Sequence, residues 1–336
     1  MSQSFDIAVV GATGTVGETV VQVLEERNFP VGNLHLLASI ESAGHSVPFR
    51  GKNVRVREVD EFDFSKVRLA FFAAGSAVSR SYAEKAVAAG CSVVDLSGAF
   101  PSSQAPNIVP EINATLLHSG AVASLVASPS ASATAVALAL APLRGLIDIQ
   151  SVTVTACLAV SALGREGVSE LARQTTELLN VRPLETRFFD RQMAFNVLAQ
   201  VGTPDESGHL PLERRLVDEL RELLTLPSLK VSATCIQVPV FFGDSFTVTL
   251  RTAGSVDVAA INAALDSAAG IELVDAGDYP TPVGDAVGQD VVYVGRVRAG
   301  TDDPEQLNLW LTSDNVRKGA ALNAVQVGEL LIKDYV

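Results

Sequence analysis

Near its start the chain passes from an apolar run, Phe5-Asp-Ile-Ala-Val-Val10, through Gly11-Ala-Thr-Gly-Thr-Val-Gly17 into Glu18-Thr-Val-Val-Gln-Val-Leu-Glu-Glu26, whose apolar residues recur at helical spacing. Few folds accept that succession. A short buried strand must turn tightly, the helix must approach it closely, and the first helical N–H groups are left pointing outward at an anion. Strand, GxxGxxG, helix is therefore the context of a dinucleotide pyrophosphate site. The candidate cofactor residues are Gly11, Thr13, Gly14, Thr15, Val16 and Gly17, with Thr13 and Thr15 adding hydroxyl donors. The spacing is GxxGxxG and not GxGxxG, so a tight βα turn without ligand is the competing reading.

A second strand follows at Leu34-His-Leu-Leu-Ala-Ser39, and its end distinguishes NAD from NADP. A carboxylate there accepts from the ribose 2′-OH, whereas an arginine pairs with a 2′-phosphate. The segment Ser39-Ile-Glu41-Ser42 supplies Glu41, which favours NAD, with Ser39 and Ser42 beside it; the alternative for Glu41 is a solvated loop glutamate. Leu69-Ala-Phe-Phe-Ala73, a helix from about Ser79 to Ala89, and Ser92-Val-Val-Asp-Leu96 continue the alternation, which means βαβ units and a parallel sheet. After about residue 145 the character changes. Ser151–Leu158, Lys230–Val238 and Phe246–Leu250 are strands rich in β-branched residues, separated by polar helices such as Leu212–Leu224. This half reads as α+β with a largely antiparallel sheet, and a last helix runs from about Lys318 to Lys333.

With 336 residues, 48% of them apolar, the chain has the size of about two ordinary folded domains. Its 38 acidic against 25 basic side chains, a net charge of −13, argue against nucleic acid or an anionic membrane as partner. The uncharged stretch Ile112–Leu143 is broken by Pro129 and several serines; only Ala133–Ala141 is nearly all apolar, so it reads as a buried helix or strand and not a membrane span. Cys91, Cys157 and Cys235 have neither disulfide-framework nor zinc spacing, so no metal is expected. The opening Met1-Ser-Gln-Ser-Phe-Asp lacks the pattern of a signal peptide, and the expected location is the cytoplasm.

Further motifs give the chain a specific resemblance. Val10–Gly17, Gln22–Val31, Leu36–Ser39, Ser42–Gly44, Val109-Pro-Glu-Ile-Asn113, Gly164-Arg-Glu-Gly167, Val231-Ser-Ala-Thr-Cys235, Leu307-Asn-Leu-Trp310, Asp314-Asn-Val-Arg-Lys-Gly-Ala-Ala321 and Asn323-Ala-Val-Gln326 are, in collinear order, similar to the aspartate-β-semialdehyde dehydrogenase family. The resemblance implies a Rossmann-like dinucleotide domain over 1–130, an α+β catalytic and dimerisation domain over 131–315, and a C-terminal helix, 316–336, returning to the first domain. It implies a homodimer, NAD or NADP as cofactor, Asn315 and Gln326 on the nicotinamide side, and a reaction of amino-acid biosynthesis. In that reaction aspartyl phosphate is reduced to the semialdehyde through a cysteine thiolate, a histidine and anion-binding basic groups.

At the positions that carry this chemistry the chain departs from the family pattern. The cysteine position, in Ser128-Pro-Ser-Ala-Ser-Ala133, is Ala131. The histidine position, in Gln237-Val-Pro-Val-Phe-Phe-Gly-Asp244-Ser245, is Asp244, whose ordinary pKa of about 3.9 lies far below that of a base poised near 7. Gln237 stands where an arginine would grip the substrate carboxylate, Leu158 where a glutamine would stand, Pro101 at the phosphate-binding arginine, and Glu41 at the arginine that would meet a 2′-phosphate. Glu213 and Arg215 match the family's substrate-side Glu-x-Lys, an exposed mixed-charge helix face being the alternative. Ser132 lacks an adjacent base, none of His35, His45, His118 and His209 is at the histidine position, Cys157 lies on the strand face opposite Leu158, and Cys235 reads as a buried structural thiol.

Three functions are compatible with these residues. The first is a pseudoenzyme with the family's fold and dimer, which binds a dinucleotide or a partner protein in a regulatory role. The second is an NAD(P)-dependent oxidoreductase that transfers hydride directly to another carbonyl, with Asp244, Glu213 and Arg215 as the polar groups of its pocket. The third is an interaction protein that binds no cofactor.

Overall fold

The computed structural model describes residues 4–117 and 123–333, so His118 lies outside the described residues. Chain contacts divide it into two compact units, residues 1–130 with 320–336 and residues 131–319. In chain order the first unit contains β1 (Phe5–Val10), α1 (Thr15–Glu26), β2 (Val31–Ala38), β3 (Ser46–Phe49), β4 (Lys52–Glu58), β5 (Leu69–Phe72), α2 (Ser76–Ala88), β6 (Ser92–Asp95), α3 (Pro110–Asn113) and β7 (Leu125–Ala127). The second contains α4 (Ala131–Leu140), β8 (Ile149–Leu158), α5 (Gly164–Leu179), α6 (Pro211–Leu223), β9 (Lys230–Gln237), β10 (Asp244–Thr252), α7 (Val258–Asp266), β11 (Ile271–Leu273), β12 (Val292–Ala299) and β13 (Gln306–Ser313). A π-helical turn, Arg317–Leu322, leads into α8 (Asn323–Ile332), which belongs to the first unit.

The first unit is a seven-stranded sheet in the order β3-β4-β2-β1-β5-β6-β7. All pairings are parallel except that of β3 with β4 at one edge. Its central strands are continuous apolar runs because both faces are covered. On one face Val9, Leu36 and Phe71 pack with Val20 and Val23 of α1 and Val325 of α8. On the other, Ala8, Leu37 and Phe72 pack with Ala83 and Ala86 of α2. This is the doubly wound, Rossmann-like unit expected from the sequence. β3 and β4 are not legible in the sequence, because the Lys52–Glu58 stretch is short and its valines are interleaved with cations.

In the second unit six strands follow the order β11-β12-β13-β10-β8-β9. The four middle strands are antiparallel, and β11·β12 and β8·β9 are parallel. One face carries Val152, Val154, Ala156, Phe246, Val248, Leu250, Leu307, Leu309 and Leu311, all buried. The other carries Thr153, Ser232, Thr234 and Thr247, all exposed. The apolar segment after Pro129 is the helix α4, buried on every side from Ser132 to Leu140, which is why it lacks an amphipathic period. Among the described residues no helix is long and apolar enough to cross a membrane. The final helix begins later than its sequence pattern suggests, because residues 317–322 form the wider π-turn.

Candidate functional site

The glycine turn is built as its sequence demands. Gly11 has φ +83°, a conformation that favours glycine, and its N–H donates to Leu37 O at 2.8 Å. A Cβ on Gly11 would lie 2.7 Å from Ala73 O, and one on Gly17 would lie 2.1 Å from Gly11 O. Gly14 is the N-cap of α1 and supplies no side-chain cap. The first helical bond runs from Glu18 N to Gly14 O, so Thr15, Val16 and Gly17 precede the ladder and their N–H groups have no intrahelical acceptor. A helix N-terminus of that kind suits a phosphate.

Beside the turn lies a cavity of about 540 Å³. Gly11, Thr13, Ser39, Glu41 and Ser42 all line it, and the structure adds Glu58, Asp60 and Tyr82 from β4, the loop after it and α2. Gly14, Thr15, Val16 and Gly17 do not line this cavity, and Val16 turns its side chain onto the core. Ser39 donates a hydrogen bond to Glu41, which with the residue's own backbone N–H holds its carboxyl below the usual range; Glu41 is thus an anion at neutral pH. The Tyr82 hydroxyl donates to the Asp60 carboxylate. Nothing in the sequence joins residues 41, 60 and 82, because a parallel sheet brings them together only after folding. Elsewhere in this unit Gln326 Nε2 donates to Glu111 Oε1 at 3.3 Å. Pro101 is exposed in the loop after β6.

The second unit holds its own polar centre. Asp244, 2% exposed, opens β10 opposite Ser313 and accepts from Ala159 N at 2.8 Å. Asp314 accepts from Gly288 N at 2.8 Å, Val316 N at 2.9 Å and Arg317 N at 2.8 Å. Burial, opposed by the Ala159 N–H and reinforced by the Asp314 charge, pushes Asp244 up to about 7. This corrects the ordinary value assigned from sequence: a carboxyl taken out of water holds its proton. Asn315 is engaged within the same unit, its Oδ1 accepting from Gly243 N at 3.0 Å and its Nδ2 donating to Ser161 Oγ at 3.0 Å.

The folded state therefore keeps the Asp244 proton to higher pH than the unfolded chain, where the carboxyl titrates near about 3.9. Between about pH 4 and pH 7 the folded state binds more protons, so the residue's contribution lowers stability as pH rises, fully so above about 7. Asp244→Asn is expected to remove that slope. Its stability relative to the parent should rise by a few kcal/mol across the window, read by urea denaturation at each pH.

Gln237 is 1% exposed; its Nε2 donates to Leu158 O at 2.7 Å, and its buried Oε1 has no partner among the described residues. Leu158 is its in-register neighbour on β8. Ala131 is the first residue of α4, and a Cβ on Gly319 would lie 2.5 Å from its methyl. Ser132 is buried beside it. Burial pushes Cys91 and Cys235 up to about 12, for Cys235 with help from the Glu213 and Asp244 charges, and burial also raises half-buried Cys157.

Glu213 is not on an exposed mixed-charge face. It is 8% exposed, its Oε2 accepts from Leu210 N and its Oε1 from Cys235 N, each at 2.9 Å. One carboxylate thus caps the start of α6 and ties it to β9. Arg215 Nε donates to Glu219 Oε1 at 2.7 Å. Glu213→Ala would strand two backbone donors and should cost about 2–4 kcal/mol in chemical denaturation, whereas Glu213→Gln keeps one acceptor and should cost less. Among the described residues no group of three His, Cys, Asp or Glu could hold a metal ion.

A doubly wound unit with a glycine turn at a helix N-terminus, followed by a mixed-sheet unit, defines a two-domain dinucleotide-binding class of protein. Residues 6–119 match the semialdehyde dehydrogenase NAD-binding domain and residues 140–318 the semialdehyde dehydrogenase dimerisation domain. The chain belongs to the semialdehyde dehydrogenase family. It is 60% identical over 333 residues to the USG-1 protein homolog of Azotobacter vinelandii, covering 99% of each chain. To aspartate-semialdehyde dehydrogenase 2 of Vibrio cholerae it is 42% identical over 336 residues, all of both chains. The structure of a probable aspartate-semialdehyde dehydrogenase from Pseudomonas aeruginosa superposes with a TM-score of 0.97 at 59% identity, over 99% of this chain and 100% of that one.

Proposed function

We propose that this protein is a dinucleotide-binding member of its family that does not perform the thiolate-dependent reaction, and that it acts as a homodimer in a regulatory or partner-binding role. The observation that carries this reading is the methyl group of Ala131 at the nucleophile position, in a unit whose Cys235 is buried and protonated. Gln237 has no charge to offer a substrate carboxylate, and one of its two amide N–H groups is already given to Leu158. Leu158 offers no hydrogen bond from its side chain.

The residues present fit a dinucleotide. The open first turn of α1 would take the pyrophosphate, with Thr13 lining the adjoining cavity, and Glu41 and Ser39 would meet the adenosine ribose. Such a cofactor supplies hydride transfer when bound; the chain's part is to orient it and, through Glu41, to favour NAD over NADP. The contacts of Asn315 and Gln326 with the nicotinamide side belong to this same proposal. A homodimer is supported by the hydroxyl-rich sheet face and by Val181, Phe195 and Val197, each more than half exposed on one long connection. Sedimentation at micromolar concentration should give two chains per particle; a monomer would remove this part. The cytoplasm is the location consistent with the reading.

Asp244 favours a second reading, an oxidoreductase acting on another carbonyl without a covalent intermediate. A buried carboxyl near 7 can give a proton to a nascent alkoxide at neutral pH. On this reading a carbonyl screen with NADH finds a substrate whose turnover Asp244→Asn abolishes; unchanged turnover in the variant removes Asp244 from that role.

A further inference from the structure

The sheet of the first unit opens along part of its length. β2 and β4 pair only over Leu36–Ala38 and Val56–Glu58, while the first half of β4 pairs with β3. The strands separate towards residues 32–35 and 52–55, leaving a cleft of about 530 Å³, within the size range of small-ligand sites. Its ionisable lining is His35, Arg50, Lys52, Arg55 and Arg57, with no carboxylate. On a chain with 38 acidic and 25 basic side chains, such a concentration of cations runs against the overall charge. Among the described residues Lys52, Arg55 and Arg57 have no ion-pair partner.

Arg50 is built into the cleft wall. It shares a two-residue hairpin turn with Gly51, at φ +48° and +72°, where asparagine or glycine is the usual first residue. Its guanidinium donates to Phe29 O at 2.7 Å and Val31 O at 3.1 Å and lies 4.9 Å from the centre of the Phe49 ring, while its backbone N donates to Glu25. Asp6, the carboxylate that faces His35, is occupied by Asn33, which donates to it through its backbone N and its Nδ2. Burial lowers the His35 pKa; the Asp6 charge opposes it, and the charges of Arg57 and Lys66 add smaller contributions to the lowering.

We propose that this cleft binds a small polyanion of the phosphate class, with Arg55 and Arg57 as forked partners and Lys52 as a point charge. Planar guanidinium groups match phosphate oxygens in pairs, and charge-assisted bonds of this kind are the strong ones. The site is distinct from the dinucleotide cavity: the two share no lining residue and lie at opposite ends of β2. Its occupant is an effector or a second substrate and not the pyrophosphate of the cofactor.

The test is calorimetric titration of the full chain with inorganic pyrophosphate at low ionic strength, with and without saturating NADH. The expected result is one site per chain, insensitive to NADH, weakened at least about tenfold by Arg55→Ala or Arg57→Ala and abolished by the double reversal to Glu. An upward shift of the His35 titration, read by NMR on adding pyrophosphate, is expected as well. Because both arginines are exposed, the thermal midpoint without ligand should be unchanged; if the double reversal fails to fold, Arg55→Gln/Arg57→Gln serves in its place. The proposal is overturned by no binding to the parent, by binding that survives the double variant and is displaced by NADH, or by capture of a glutamate-rich peptide without any affinity for pyrophosphate.

Discussion

With phosphate and either NAD or NADP, turnover of aspartate semialdehyde by this protein should stay below about 10⁻³ s⁻¹ at every pH, against roughly 10 s⁻¹ for an ordinary enzyme. The reason is chemical. An acyl or thiohemiacetal adduct needs an atom that can attack, and removing a nucleophile from such machinery costs about 10⁶-fold on its own. Ala131 provides a methyl group, and Cys91 and Cys235, pushed up to about 12, hold essentially no thiolate at neutral pH. Ala131→Cys alone should therefore restore little. Gln237 would leave the substrate carboxylate without a charged partner, and Asp244 would be partly protonated at neutral pH. Placing arginine at 237 and histidine at 244 together with the cysteine is expected to raise turnover by orders of magnitude more than the sum of the single changes, because groups acting as a unit are not additive. The assay is phosphate-dependent reduction of NAD or NADP followed at the nicotinamide absorbance. Turnover near 10 s⁻¹ by the unmodified chain would sink the reading.

The second large effect concerns cofactor choice. NADH should bind at least about tenfold tighter than NADPH, and Glu41→Arg should invert that order. A 2′-phosphate brought within about 4–5 Å of a carboxylate at a protein surface is disfavoured by roughly 1–4 kcal/mol, and an arginine there replaces repulsion with a paired contact. Ser39 strengthens the effect by holding Glu41 in its charged form, and Glu58 and Asp60 add anionic character to the same cavity. Equal affinity for the two cofactors before and after the substitution would show that residue 41 does not meet the ribose.

Much of the first unit was legible because its physics is local. Gly11 needs a left-handed backbone and Gly17 a close approach to Gly11 O, and both demands write glycine into the sequence at fixed spacing. The buried strands β1 and β5 announce themselves as apolar runs. What escaped was set by long-range partners. Glu213 reads as one charge on a polar helix, yet Cys235 N, twenty-two residues away, draws its carboxylate inward. Asp244 reads as an ordinary acid until burial beside Asp314, seventy residues on, raises it to about 7. The hairpin of β3 and β4 carries too many cations to look like a strand pair, and the cleft beside β2 appears only when β4 leaves β2 to pair with β3.

Calorimetric titration of the unmodified protein with NADH, repeated with NADPH, tests the central claim most directly. One saturable NADH site per chain is expected, with NADPH weaker by about tenfold or more. Absence of heat with either nucleotide, and no thermal stabilisation where a ligand at 100 times its Kd should add about 2.7 kcal/mol, would contradict it and leave the glycine turn as a piece of architecture alone.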